Sequence, residues 1–284
     1  AHVDALLGQV ADAGALGRVD HSGVGFEDAR DALHEGGLAR AVVAGEGDPL
    51  ARLNRELDLT RSGGIRIVGL KGEPGIGKSR LIHEFCRGLS PEEITLARGD
   101  CVAYGGARAF LPFIQVVKQL CGFEDADPLP RVSEKCARLL AQAGIDDEAA
   151  LPLLLNLLCS DLPEHPLPGW DPQLIGARTR QLLVQLLARL STQRPLVIVL
   201  EDLQWADAPA EELVRRLAED PEPACMLLLV SFRPDYAAAW AGGPNTVELA
   251  LAPLPDEACR QLILARLGIQ VSAPQVESEI LSKA

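Results

Sequence analysis

Apolar positions recur along this chain in two rhythms, and each change of rhythm marks the boundary of an element. From Asp48, residues Leu50, Leu53 and Leu57 fall on one face at helical spacing, with Asp48-Pro49 as cap and first turn and Ser62-Gly63-Gly64 as the stop. Ile65-Arg66-Ile67-Val68-Gly69-Leu70 is a short β-branched run that predicts a strand. After a glycine-rich turn, helical spacing resumes from Lys78 to Leu89 through Leu81, Ile82 and Phe85. A second strand is expected over Ile94 to Ala97. A long, mostly helical stretch should then run from Phe110 to Leu190, broken by prolines near 127–130 and 162–172. Pro195-Leu196-Val197-Ile198-Val199-Leu200 is the most strand-like run, and its unbroken apolar character suits a central parallel strand covered on both faces. The pattern then predicts a helix over Ala208 to Ala218, strands over Cys225 to Val230 and Thr246 to Leu249, and helices from about Pro255 to Leu267 and from Pro274 onward.

Strands alternating with helices predict an α/β fold, a parallel sheet of five strands flanked by helices. A large helical insertion should separate the second and third strands. The organisation expected is an N-terminal segment at 1–43 with weak helical patterning and no motif, a core at 44–253, and the start of a helical lid at 254–284.

The turn after the first strand carries the clearest chemistry. Gly72-Glu73-Pro74-Gly75-Ile76-Gly77-Lys78-Ser79 fits G-x-x-x-x-G-K-[ST] without a mismatch, between a strand and a helix as a P-loop requires. Consecutive backbone N–H groups in such a turn form an anion-binding concavity, and the helix N-terminus adds partial positive charge. Lys78 would reach the β- and γ-phosphates of ATP, and the Ser79 hydroxyl would ligate Mg²⁺. Arg80, next along the helix, joins the nucleotide-contacting set. The second piece is the acid pair Glu201-Asp202 at the carboxyl end of the apolar strand, where ligands bind in such sheets. One acid would hold Mg²⁺, and the other would orient or deprotonate the attacking water; the competing reading is that the pair merely opens a surface loop.

Composition narrows the partners. With 284 residues, 48% hydrophobic and 24% charged, the chain can bury a full core. Its net charge of −13 leaves no basic footprint, so direct nucleic-acid contact by this segment is not expected. The seven cysteines (86, 101, 121, 136, 159, 225 and 259) lack zinc spacing, and their odd number points to reduced thiols and a cytoplasmic location. No apolar run is long enough to span a bilayer, so no membrane partner is expected. His83 and the scattered His2, His21, His34 and His165 show no ligand spacing. The chain opens on Ala1 and stops within a helical pattern at Leu281-Ser282-Lys283-Ala284, which suggests a segment of a longer protein whose other domains are its partners.

Gly72 to Leu81 followed by Leu200-Glu201-Asp202-Leu203-Gln204-Trp205-Ala206-Asp207 resembles the STAND-type AAA ATPase domains. These occur in LuxR-type transcriptional regulators and in bacterial proteins carrying class III adenylate cyclase domains. The resemblance covers about residues 44 to 284 and rests on an E-D-x-x-W-A-D run with Gln204 at a variable place. It implies that Ser231-Phe232-Arg233-Pro234 is a sensor segment, in which Ser231 and Arg233 read the terminal phosphate, and that Leu251-Ala252-Pro253-Leu254 leads into the lid. In the bland alternative Arg233 is a solvated turn residue, Trp205 a packing anchor and Asp207 a cap for the helix at Ala208. Two departures stand out. Val43-Ala44-Gly45-Glu46-Gly47 replaces the family's V-G-R-E-like segment, and Glu201-Asp202 reverses the acid order common in AAA proteins. The resemblance implies a signalling ATPase that binds ATP or ADP with Mg²⁺, hydrolyses slowly and admits nucleotide-dependent self-association. The alternative of another class is a nucleotide-held interaction scaffold with negligible turnover.

Overall fold

The computed structural model describes residues 48–103, 109–124, 126–159, 167–219 and 224–253. The expectations for 1–43, for the segment 43–47, and for the lid and final helices at 254–284 lie outside these residues.

Helix α1 spans Pro49–Arg61; the Asp48 carboxylate accepts from the Leu50 N–H at 2.9 Å, and Pro49 begins the first turn. Strand β1 (Gly64–Lys71), helix α2 (Lys78–Arg87) and strand β2 (Thr95–Asp100) follow. Among the described residues four helices then intervene, α3 (Leu111–Cys121), α4 (Leu129–Gln142), α5 (Ala150–Leu158) and α6 (Pro172–Gln193). After them come β3 (Leu196–Glu201), a 3₁₀ turn at Leu203–Trp205, α7 (Ala208–Glu219), β4 (Cys225–Phe232) and β5 (Thr246–Ala250). The five strands form one sheet in the order β2-β3-β4-β1-β5, every pairing parallel. The predicted architecture and the insertion between the second and third strands are both present.

Alternation along the central strands sorts their side chains into two cores. Leu196, Ile198 and Leu200 of β3, with Met226, Leu228 and Val230 of β4, join the core built by α3 to α7. Val197 and Val199, with Leu227 and Leu229, join Leu53 and Leu57 of α1 and Leu81, Ile82 and Phe85 of α2 on the opposite face. A strand buried on both faces has no polar side to show, which is why β3 reads as an unbroken apolar run.

Strand β2 runs on past Ala97, the limit expected from sequence, through Arg98-Gly99-Asp100. These polar residues look like the end of a strand, yet they pair in register with Val199, Leu200 and Glu201. Their outer edge is covered by α3. Gln119 Oε1 accepts from the Arg98 N–H at 2.9 Å, Gln119 Nε2 donates to the Arg98 carbonyl at 2.7 Å, and Gln115 Oε1 accepts from the Asp100 N–H at 2.6 Å. Residues two apart on a strand and four apart on a helix have nearly the same rise, about 6–7 Å, so two glutamines match two rungs of the edge. Gly99 permits this contact, because a Cβ there would lie 2.3 Å from the Pro112 carbonyl oxygen.

Candidate functional site

The phosphate loop joins β1 to α2. Its entry is buried: Gly72 donates its N–H to the Phe232 carbonyl at 3.3 Å, and a Cβ at Gly72 would press within 2.7 Å of Ile76 Cγ2. Gly75 and Gly77 have φ of +80° and +106°, the left-handed region that favours glycine, while Glu73, Pro74 and Gly75 stand exposed on the crest. Because Gly77 caps α2 without a side chain, no side-chain oxygen competes for the helix's first amides. Lys78 is only 8% exposed; its ammonium donates to the Gly72 and Glu73 carbonyls at 2.7 and 3.0 Å and, among the described residues, faces no carboxylate in an ion pair. A buried cation neutralised only by carbonyl dipoles suits a phosphate. Arg80 turns along its own helix instead, its guanidinium 2.6 Å from Glu84.

The acid pair meets this loop. The Ser79 hydroxyl donates to Glu201 Oε2 at 2.6 Å, which connects the start of α2 to the tip of β3 across 122 positions of sequence. Asp202 leaves the strand with φ +57° and ψ +48°, and its carboxyl group is exposed. That bend is held on three sides. The Asp202 N–H donates to Ser231 Oγ at 3.0 Å, Gln204 Nε2 donates to Asp202 Oδ1 at 3.0 Å, and the Asp202 carbonyl accepts from the Trp205 N–H at 2.9 Å. Ser231 is 1% exposed inside β4, so its oxygen serves the acid's backbone, and its remaining proton is what it could offer another group.

Asp207 does more than the single capping expected from sequence. Its Oδ1 accepts from the Ala210 N–H at 2.8 Å at the start of α7 and from the Phe110 N–H at 3.2 Å, while Oδ2 accepts from the Leu111 N–H at 3.3 Å. One carboxylate therefore caps two helices, the second of them α3, which Phe110 enters at φ +63°. Trp205 is no packing anchor, since it is 43% exposed and carries the Arg233 guanidinium over its ring at 5.5 Å from the centroid.

The local field is negative. Burial first, and then Asp207, Asp100, Asp202 and Glu211, push the Cys101 thiol up to about 12. Oxygen donors from Ser79, Glu201 and Asp202 in such a field fit Mg²⁺, which favours one or two carboxylates plus phosphate oxygens over an all-protein cage. Among the described residues no group of three His, Cys, Asp or Glu side chains could hold a metal by itself, and His83 is exposed.

Gln204 and the second face of Asp207 were missed from the sequence. Gln204 sits two residues from the acid it holds, with nothing in its type to flag it, and the Phe110–Asp207 contact spans 97 positions.

The family model for the AAA ATPase domain matches residues 43–230. An uncharacterized protein of Rhizobium meliloti (strain 1021) is 27% identical over 243 residues; the match takes in 82% of this chain, which spans 23% of that relative's length. Chains in structures of Drosophila ORC, one bound to DNA and one bound to GC-rich DNA and Cdc6, are similar at 11% and 12% identity with a TM-score of 0.32 in each case. They cover 76% and 84% of this chain and 95% and 64% of their own, a likeness too distant to transfer anything. Among the described residues no helix is long and apolar enough to cross a membrane.

Proposed function

The chain belongs to the AAA ATPase domain family, and from that premise we propose that it binds ATP with Mg²⁺ and hydrolyses it slowly, as a STAND-type switch in a longer regulatory protein. The observation that carries this reading is the 2.6 Å hydrogen bond from Ser79 to Glu201, which joins the phosphate loop to the acid-bearing strand.

The roles follow from position. Backbone amides of Gly75, Gly77, Lys78 and Ser79 bind the phosphates, and the Lys78 ammonium exchanges its carbonyl partners for phosphate oxygens. When bound, Mg²⁺ neutralises charge on the β- and γ-phosphates. Ser79 and Glu201 would hold it, since they already share one hydrogen bond. Asp202, exposed and one residue beyond, is the better placed acid to take a proton from the attacking water. Gln204 occupies one of its oxygens, and this bond favours slow turnover or, in the scaffold reading, very little. Arg233 distinguishes ATP from ADP: it starts one residue past β4, whose last residue, Phe232, accepts the N–H of Gly72. Any output domain, self-association and the cytoplasmic setting belong to the longer protein as proposals of the same kind.

Two measurements test this. Calorimetry should find Mg²⁺-dependent ATP binding that Lys78→Ala weakens by about 2–3 kcal/mol, the scale of a lost charge-assisted contact. A phosphate-release assay should find slow turnover. Parent-like binding by the variant would remove the phosphate site, and binding without turnover would favour the scaffold.

A further inference from the structure

Neither the phosphate loop nor the acid pair accounts for Trp205. A tryptophan commonly buries most of its surface, yet this one is 43% exposed, three residues past Asp202. Its backbone is fixed, because its N–H closes the turn onto the Asp202 carbonyl at 2.9 Å. Over its ring lies Arg233, with the guanidinium carbon 5.5 Å from the centroid. Among the described residues that guanidinium forms no ion pair, and the indole is its partner. The main chain just before it is pinned as well, through the Gly72 N–H to the Phe232 carbonyl at 3.3 Å.

The chemistry of this pairing differs from that of a salt bridge. A carboxylate would hold Arg233 by using its N–H donors and cancelling its charge. An aromatic face attracts the charge and takes no donor, since the five N–H groups of a guanidinium lie in its own plane. A long side chain is thereby restrained in advance with its hydrogen-bonding edge free. Restraint before binding lowers the entropy lost on binding.

We propose that Trp205 is a positioning residue for Arg233, its indole holding the guanidinium at the end of β4 so that the N–H edge meets the terminal phosphate of ATP. This rests on the reading of Arg233 as the residue that separates ATP from ADP.

The test compares Trp205→Ala, Trp205→Phe, Arg233→Ala and the Trp205→Ala/Arg233→Ala double variant by calorimetry, with Mg²⁺ and either ADP or a non-hydrolysable ATP analogue. Trp205→Ala should weaken the analogue about three- to fivefold and leave ADP unchanged, the scale of an exposed cation–π contact. Trp205→Phe should recover most of the loss, and in the Arg233→Ala background removing Trp205 should cost nothing further. Emission assigned to Trp205 by difference from Trp205→Phe should shift with the analogue and not with ADP. Equal losses for both nucleotides, or a loss that persists without Arg233, would overturn the proposal. If Arg233→Ala discriminates between the nucleotides and Trp205→Ala does not, the positioning role falls and the sensing role stands. If Arg233→Ala does not discriminate, both fall.

Discussion

The two halves of the candidate site are built by different means. The phosphate loop is eight consecutive residues whose work is done by main-chain amides, glycines at left-handed φ and one lysine. The strand-end half is assembled from residues far apart in sequence: Ser79 with Glu201, Asp202 with Ser231 across 29 positions, and Asp207 with Phe110 across 97. A binding function that needs only local backbone shape can be encoded locally. In the proposed reading, control over turnover needs an acid, its holders and a sensor brought together by the sheet, so it depends on the fold as a whole. Damage to the acid that takes the proton should therefore spare binding, damage to the sensor should weaken ATP and not ADP, and damage to the loop should weaken both.

The sharpest way to separate them is Asp202→Asn. Steady-state phosphate release should fall about a hundredfold or more, the scale of a lost general base, with nucleotide affinity nearly unchanged. Comparable losses in both would mean that Asp202 holds the nucleotide and the division is wrong. Asp207→Ala should cost about 2 kcal/mol of stability, since two helix caps of about 1 kcal/mol each are lost together. A denaturant titration measures this, and calorimetry on the folded variant should still find near-parental ADP binding. A loss no larger than one cap would show that the α3 contact contributes little. Smallest is Gly77→Ala. A Cβ there meets nothing within 4 Å, so the cost is the left-handed φ of +106° alone, about 1–2 kcal/mol. It should appear mainly as weaker ATP and ADP binding to a similar degree, and a selective loss of ATP would contradict the local character of the loop.

This division also explains what the sequence made legible. The motif from Gly72 to Ser79, the apolar strand β3 and the capped helix α1 each carry their instructions within a short window, and each appears where expected. Arg98-Gly99-Asp100 did not read as strand because its edge is satisfied by glutamines on another element. Trp205 looked like a core residue by type, and only its 43% exposure and the cation above it say otherwise. The reversed acid order becomes intelligible in the structure. The second acid stands at φ +57°, which Asp tolerates far better than a longer, less locally hydrogen-bonding side chain, while the longer Glu201 extends from regular strand to reach Ser79.

The strand order has a kinetic consequence during synthesis. Among the described residues β2 pairs only with β3, and β1 pairs with β4 and β5, so the described partners of the first two strands are all made later than the strands themselves. From Asp100 to Leu196 lie about 100 residues, which at roughly 5–20 residues per second is about 5–20 s of waiting. Through that interval Ile65, Ile67, Val68 and Leu70, all buried in the finished sheet, await β4 and β5. The nascent chain's early hazard is thus aggregation through β1, and the four intervening helices, whose backbone hydrogen bonds are local, are the part able to form first.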